Sequence, residues 1–221
     1  MSCPGVDIRV GYLDGENLTL ADSLQADASD SQDHEQFPSV VVPLLLSPSP
    51  ALDARIQRLA AEPAVPAVVA PHLGPHPLIA EALHSRLAEA GLARQARSSG
   101  LSISADGRGV VVLADVGEEA ASAAAVAAVL LASRLSVPVV PASLGDPSSI
   151  VDAVSRLTDS GAARPVLSPC LIGPETNVAV LHDLSAALDA PCAPVLGAHQ
   201  AIGQLVAIRY GAALTSLSLA G

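Results

Sequence analysis

The sequence predicts an α/β protein built from two βαβα halves, each a parallel sheet covered by helices on both faces. An internal repeat is the first reason. Ala70-Pro-His-Leu-Gly-Pro-His76 returns as Ala193-Pro-Val-Leu-Gly-Ala-His199, an offset of 123 with five of seven positions identical. The second is the alternation of short apolar runs with helix-length segments, the pattern of strands joined by crossover helices rather than hairpins. Composition is the third: half of the 221 residues are apolar, with no Trp, one Phe and two Tyr. A core of Ala, Val and Leu must pack small aliphatics between layers of regular structure.

The first half opens on a strand at Ile8 to Leu13 and a helix around Leu20-Ala-Asp-Ser-Leu24. Their counterparts, at an offset of 130, are the strand Pro138 to Ala142 and the helix around Ile150-Val-Asp-Ala-Val154. The polar tract Asp27 to Gln36 reads as a solvated loop. Val42-Pro-Leu-Leu-Leu-Ser-Pro48 and Ser168-Pro-Cys-Leu-Ile-Gly-Pro174, at an offset of 126, read as buried strands ending in Pro-containing loops. The apolar run Ala67 to Val69 leads to a helix over Pro77 to Ala90, striped by Leu78, Leu83 and Leu87; the second copy leads to a helix over Ala201 to Leu214. The halves join near Arg94 to Arg108, which places the domains at residues 1–99 and 100–221.

The second half has an extra strand, Gly109 to Asp115, and an extra helix, Glu118 to Leu135, with no partner in the first. The repeat offset puts the missing unit before residue 5, so the first half is expected to lack its opening strand and helix. Such a loss exposes a sheet edge, and a homodimer is the expected way to cover it.

Acidic residues outnumber basic ones 22 to 11, for a net charge of −11, and every basic residue is Arg. With no basic stripe to follow phosphates, nucleic acid is excluded as a partner. Cys3, Cys170 and Cys192 lack metal-type spacing and fit a reducing cytoplasm. The start has no basic segment followed by an apolar one. The most apolar stretch, Ala120 to Leu135, is too short to span a bilayer comfortably, so no membrane is expected. Dinucleotide, Walker, nucleophile-elbow and Cys-x-x-Cys motifs are all missing from the sequence.

Val40-Val-Val-Pro-Leu-Leu-Leu-Ser47 followed by Ala70-Pro-His-Leu-Gly-Pro-His-Pro77 resembles the sirohydrochlorin cobaltochelatase and ferrochelatase family, the class II chelatases. Gly11-Tyr-Leu-Asp14 before Leu18-Thr-Leu-Ala-Asp22 is similar to the family segment in which a strand ends in an acidic residue before a helix. The resemblance implies two flavodoxin-like halves facing across a cleft. It also implies insertion of Co²⁺ or Fe²⁺ into a tetrapyrrole, sirohydrochlorin, on the path to cobalamin or sirohaem, with no cofactor beyond the divalent metal substrate.

The family uses a His-Gly-Ser/Thr motif after its first strand, an acidic residue after the second and a His in the loop after the third. The first motif would lie before Met1. Ser47-Pro-Ser-Pro-Ala51 puts Ala51 where the His belongs, and Asp115-Val-Gly117 stands at the His-Gly-Ser position of the second half. Metal insertion needs a neutral imidazole to hold the cation or take pyrrole protons, and neither Ala nor Ser does this near neutral pH.

Asp14, a hard oxygen donor at a strand end, and His72, in the loop after the next strand pair, are left as the candidate catalytic residues and metal ligands. Ser47, Gly74 and His76 are the candidate substrate contacts. His76 recurs as His199, which favours a shared job at helix entry, whereas the partner of His72 is Val195. His34 and Glu35 fall in the solvated tract, His84 and His182 on outer helix faces, and Arg209 and Tyr210 near the last helix could reach a carboxylated ligand. Two functions stay open: a chelatase, and a degenerate chelatase that binds tetrapyrrole or metal, or stabilises a partner, without turnover.

Overall fold

The computed structural model describes residues 6–14, 18–30, 39–63, 67–93, 107–173 and 178–220. It divides into two compact units. One takes Met1–Leu44, Pro48–His72 and Val206–Gly221, the other Leu45–Ser47 and Leu73–Leu205.

The larger unit is a parallel sheet of β3 (Arg108–Ala114), β4 (Val139–Ser143) and β5 (Arg164–Pro169) in the order β4-β3-β5. Central β3 is apolar on both faces, as a strand covered on both sides must be. Its odd-numbered side, Val111 and Leu113, joins Leu167 and Leu171 in an apolar cluster with Ile150, Ala153 and Leu157 of α5 (Pro147–Asp159) and Leu181 of α6 (Val178–Ala187). Val110, Val112 and Ala114 are buried on the other side. There α4 (Glu118–Leu135) packs on β3 and β4, and α3 (Pro77–Glu89) packs on α4 and β5. Leu83 and Leu87 of α3 and Leu131 of α4 are almost fully buried, each worth about 2 kcal/mol over exposure.

In the smaller unit β1 (Val40–Val41) and β2 (Val68–Val69) form a two-stranded parallel sheet. α1 (Leu20–Asp30) packs on α2 (Pro50–Ala61), and the unit also takes residues 206–220 of α7 (Gln200–Ala220). Pro50 and Pro77 each stand in the first turn of their helix, where a fixed φ and a missing N–H cost nothing.

The repeat is structural as well as sequential. Ala70 N–H donates to Val41 O at 2.8 Å, and Ala193 N–H donates to Leu167 O at 2.8 Å. Val41 pairs with Val69 as Leu167 bridges to Cys192. The repeat partner of β1 is therefore β5, which is flanked on its far side by β3. Among the described residues β3 has no counterpart in the smaller unit.

That difference explains a correction. Ile8 to Leu13 is extended but forms no ladder, its one bridge being Tyr12 to Thr19. Its counterpart β4 pairs with β3, and here the described residues supply no such neighbour. The two compact units do not follow a single cut along the chain, and two helices show this. α3 falls with the sheet of the second half, and the C-terminal part of α7 with β1 and β2. Among the described residues no helix is long and apolar enough to cross a membrane.

Candidate functional site

Asp14 follows the extended segment, and its side chain is 79% exposed. Its carboxylate is not free. Arg55, on α2, donates from Nη1 to Oδ2 at 2.9 Å and from Nη2 to Oδ1 at 2.9 Å, a bidentate fork, and Nη2 also reaches the Leu13 carbonyl oxygen. These hydrogen bonds, more than the opposite charge, hold the Asp14 carboxyl below its ordinary range and raise Arg55 above its own. Sequence reasoning missed Arg55, because a surface Arg on an amphipathic helix carries no mark of a partner 41 residues away. One signal was available: Arg55 stands four residues after Ala51 on α2, so the two share a helix face.

His72 follows β2 in the loop before α3 and is half-buried. Among the described residues its imidazole has no hydrogen-bond partner, which leaves a nitrogen lone pair for a ligand. Asp14, Arg55 and His72 all belong to the smaller unit.

Ser47, Gly74 and His76 belong to the larger unit. Leu73 N–H donates to Leu45 O at 2.8 Å, which brings the Leu45–Ser47 segment over Gly74. A Cβ at Gly74 would run into the Leu46 carbonyl oxygen, so this glycine serves close backbone approach. The second copy repeats the arrangement, with Leu196 N–H donating to Leu171 O at 2.8 Å. His76 is the N-cap of α3, its Nδ1 accepting from Leu78 N–H at 3.2 Å. His199 does the same at α7, accepting from Ala201 N–H at 3.1 Å. An accepting Nδ1 carries no proton, so each ring holds its hydrogen on Nε2. The shared role at helix entry expected from the repeat is thus visible as geometry.

Asp115 follows β3, and its carbonyl accepts from Ser143 Oγ at 3.1 Å. His182 is 83% exposed beside Asp183, on the outer face expected for it. His84, Arg209 and Tyr210 are half-buried on α3 and α7. His34 and Glu35 lie outside the described residues. Among the described residues no three His, Cys, Asp or Glu side chains are grouped to hold a metal ion. The chemistry on view is a forked guanidinium on a carboxylate, and one unpaired imidazole.

Residues 4–90, which hold Asp14, Arg55, His72 and both loops of the first repeat copy, match the family model CbiX. Two solved structures share the fold. SirB from Bacillus subtilis with Fe³⁺ aligns at a TM-score of 0.70 and 16% identity, over 95% of this chain and 83% of that one. The sirohydrochlorin chelatase SirB from Bacillus subtilis subspecies spizizenii in complex with cobalt aligns at 0.61 and 15%, over 90% and 77%. No curated protein matches the chain in sequence. The likeness to CbiX in sequence thus covers residues 4–90, and the likeness to the two SirB structures shows a chelatase fold through nearly the whole chain.

Proposed function

We propose that the protein acts on sirohydrochlorin or a closely similar carboxylate-rich tetrapyrrole, as a chelatase-like protein with Co²⁺ or Fe²⁺ as the metal substrate, on the path to cobalamin or sirohaem. The observation that carries this reading is the CbiX match over residues 4–90, which covers every candidate ligand of the smaller unit. In that reading His72 supplies the neutral imidazole that Ala51 cannot, and Asp14 supplies a hard oxygen for the cation or a base for a pyrrole proton.

A second reading, binding without insertion, is favoured by one specific observation: both Asp14 oxygens already accept from Arg55. Following the visible spectrum of sirohydrochlorin with Co²⁺ or Fe²⁺ separates the two. Insertion faster than the uncatalysed rate supports the chelatase. An uncatalysed rate together with a calorimetric binding signal supports the binding protein. Neither rate nor binding sinks both.

Self-association belongs to the same proposal. Among the described strands β1 pairs with β2 alone, and Val6, Ile8, Val10 and Tyr12 are exposed at every second position of the extended segment. A homodimer would cover such an edge. Light scattering at high protein concentration that finds only monomer refutes it.

A further inference from the structure

We propose that Arg55 is a carboxylate receptor that exchanges Asp14 for a carboxylate of the tetrapyrrole, so that docking of the substrate releases Asp14. The inference rests on the tetrapyrrole reading above and adds a binding residue and an order of events to it.

Three observations support the exchange. First, the guanidinium has two kinds of anchor. The Leu13 carbonyl oxygen, fixed in the backbone, accepts from Nη2, while the Asp14 carboxylate occupies the Nη1 and Nη2 fork. If the Asp14 side chain rotates away, the backbone contact still orients the guanidinium, and the fork faces outward for another planar carboxylate. Secondly, the pair is open to solvent, with side chains 40% and 79% exposed. An exposed ion pair is held weakly, and replacing one carboxylate by another conserves the charge and the number of hydrogen bonds. A ligand with several carboxylates then wins by effective concentration once any other part of it is bound.

Thirdly, the fold does not need this pair. The repeat offsets of 130 and 126 place Leu144 opposite Asp14 and Leu181 opposite Arg55. Leu181 is a member of the apolar cluster of the larger unit, and Leu144 packs against that cluster. One copy of the repeat meets the structural demand at these two places with leucines. The other puts a solvent-facing carboxylate and its guanidinium there. In the resting pair each Asp14 oxygen spends one lone pair on Arg55 and sits beside its positive charge, which opposes a cation. A released Asp14 regains its full acceptor capacity and an uncompensated negative charge, and so is a stronger ligand for Co²⁺ or Fe²⁺, or base for a pyrrole proton, when substrate is present.

The test is a set of sirohydrochlorin titrations, by fluorescence or calorimetry, on the full chain and three variants. Removing the receptor in Arg55→Gln should raise Kd by roughly 10-fold or more, and Arg55→Lys, which keeps charge but loses the fork, by about 3-fold. Removing the competitor in Asp14→Asn should lower Kd by about 3-fold. A fully esterified sirohydrochlorin should bind the wild type and Arg55→Gln alike. The opposite signs are decisive, because damage to the fold weakens binding in every variant and cannot tighten it in Asp14→Asn. Weaker or unchanged binding in Asp14→Asn overturns the exchange, as does an ester that discriminates between wild type and Arg55→Gln. Wild-type protein that binds no sirohydrochlorin at all removes the tetrapyrrole reading itself, and the exchange with it.

Discussion

Replacing Gly74 by Ala should destabilise the larger unit by about 3 kcal/mol, and the reason is specific to this position. The added Cβ would meet the Leu46 carbonyl oxygen well inside van der Waals distance and stand 2.9 Å from Ile79 Cδ1. A side chain could swing aside, but a backbone carbonyl cannot without carrying Leu45 with it, and Leu45 O is fixed by Leu73 N–H. The overlap is thus relieved only by opening the loop or lifting the entry to α3, at the upper end of the usual overpacking cost of about 1 to 3 kcal/mol. For a chain of this length that corresponds to a fall in Tm of about 6 to 12 °C. Its repeat partner Gly197 is a control. There φ is +56° and the nearest atom is the flexible Arg86 Nη2 at 3.3 Å, so Gly197→Ala should cost only about 1 to 2 kcal/mol, from the left-handed backbone. Urea melts followed by circular dichroism measure both. Equal losses in the two variants, or a Gly74→Ala protein within about 0.5 kcal/mol of wild type, would refute the close-approach argument.

Leu87→Ala should cost about 2 to 5 kcal/mol, because this α3 residue is fully buried in the unit containing β3, β4 and β5; slowed hydrogen exchange retained across β3 in the variant would contradict that placement. His199→Ala should cost about 1 kcal/mol through loss of the α7 cap, with His199→Asn restoring most of it; equal melts for Ala and Asn would rule out the cap. Burial pushes the Cys170 thiol up to about 12 and the Cys192 thiol up to about 11, so at pH 8 roughly one in ten thousand and one in a thousand are thiolate. Iodoacetamide should therefore label neither position until denaturant is added, as read by peptide mass spectrometry. The Asp14 and Asp146 carboxyls are held low, by Arg55 and by the Ser148 hydroxyl respectively, so each favours the folded state while ionised. Their contribution is complete above the ordinary carboxylate range and is lost as pH falls through the depressed folded values; Asp146→Asn should flatten the acid limb of the melting profile, and an unchanged limb would show that Asp146 does not contribute to it.

The parts of the fold legible in the sequence were those written in local period and local punctuation. Glu118 to Leu135 is a helix with the limits its alanine-rich stripe implied, and the entry to α3 follows from a Pro after a capping residue. What the sequence did not carry was which sheet a helix covers. Ile79, Ala80, Leu83 and Leu87 make one apolar stripe, and it reads the same whether it faces the strands of its own half or those of the other. Similarly, Ile8 to Leu13 has the alternation of a strand, but a ladder also needs a neighbouring strand, and among the described residues it makes only the single bridge from Tyr12 to Thr19. The start of α2 was hidden by Ser47-Pro-Ser-Pro50, which reads as a loop until Pro50 is recognised as the first helical residue.

For the candidate site the repeat acts as an internal control on function. Where the two copies agree, a folding role is on view: His76 and His199 cap helices, and Leu73 and Leu196 tie down equivalent loops. Where they differ, no shared structural demand explains the residue. His72 corresponds to Val195 in the repeat, Arg55 to Leu181 of an apolar cluster and Asp14 to Leu144, which packs against that cluster. All three polar members of these pairs fall in the copy covered by the CbiX match. Asp14 and His72 were accessible to sequence reasoning because each follows an apolar run that reads as a strand in the sequence. Arg55 was not, because its meaning comes from a fork that closes only in three dimensions, where both Asp14 oxygens accept from its guanidinium; in the proposed exchange the availability of Asp14 depends on what else Arg55 can hold.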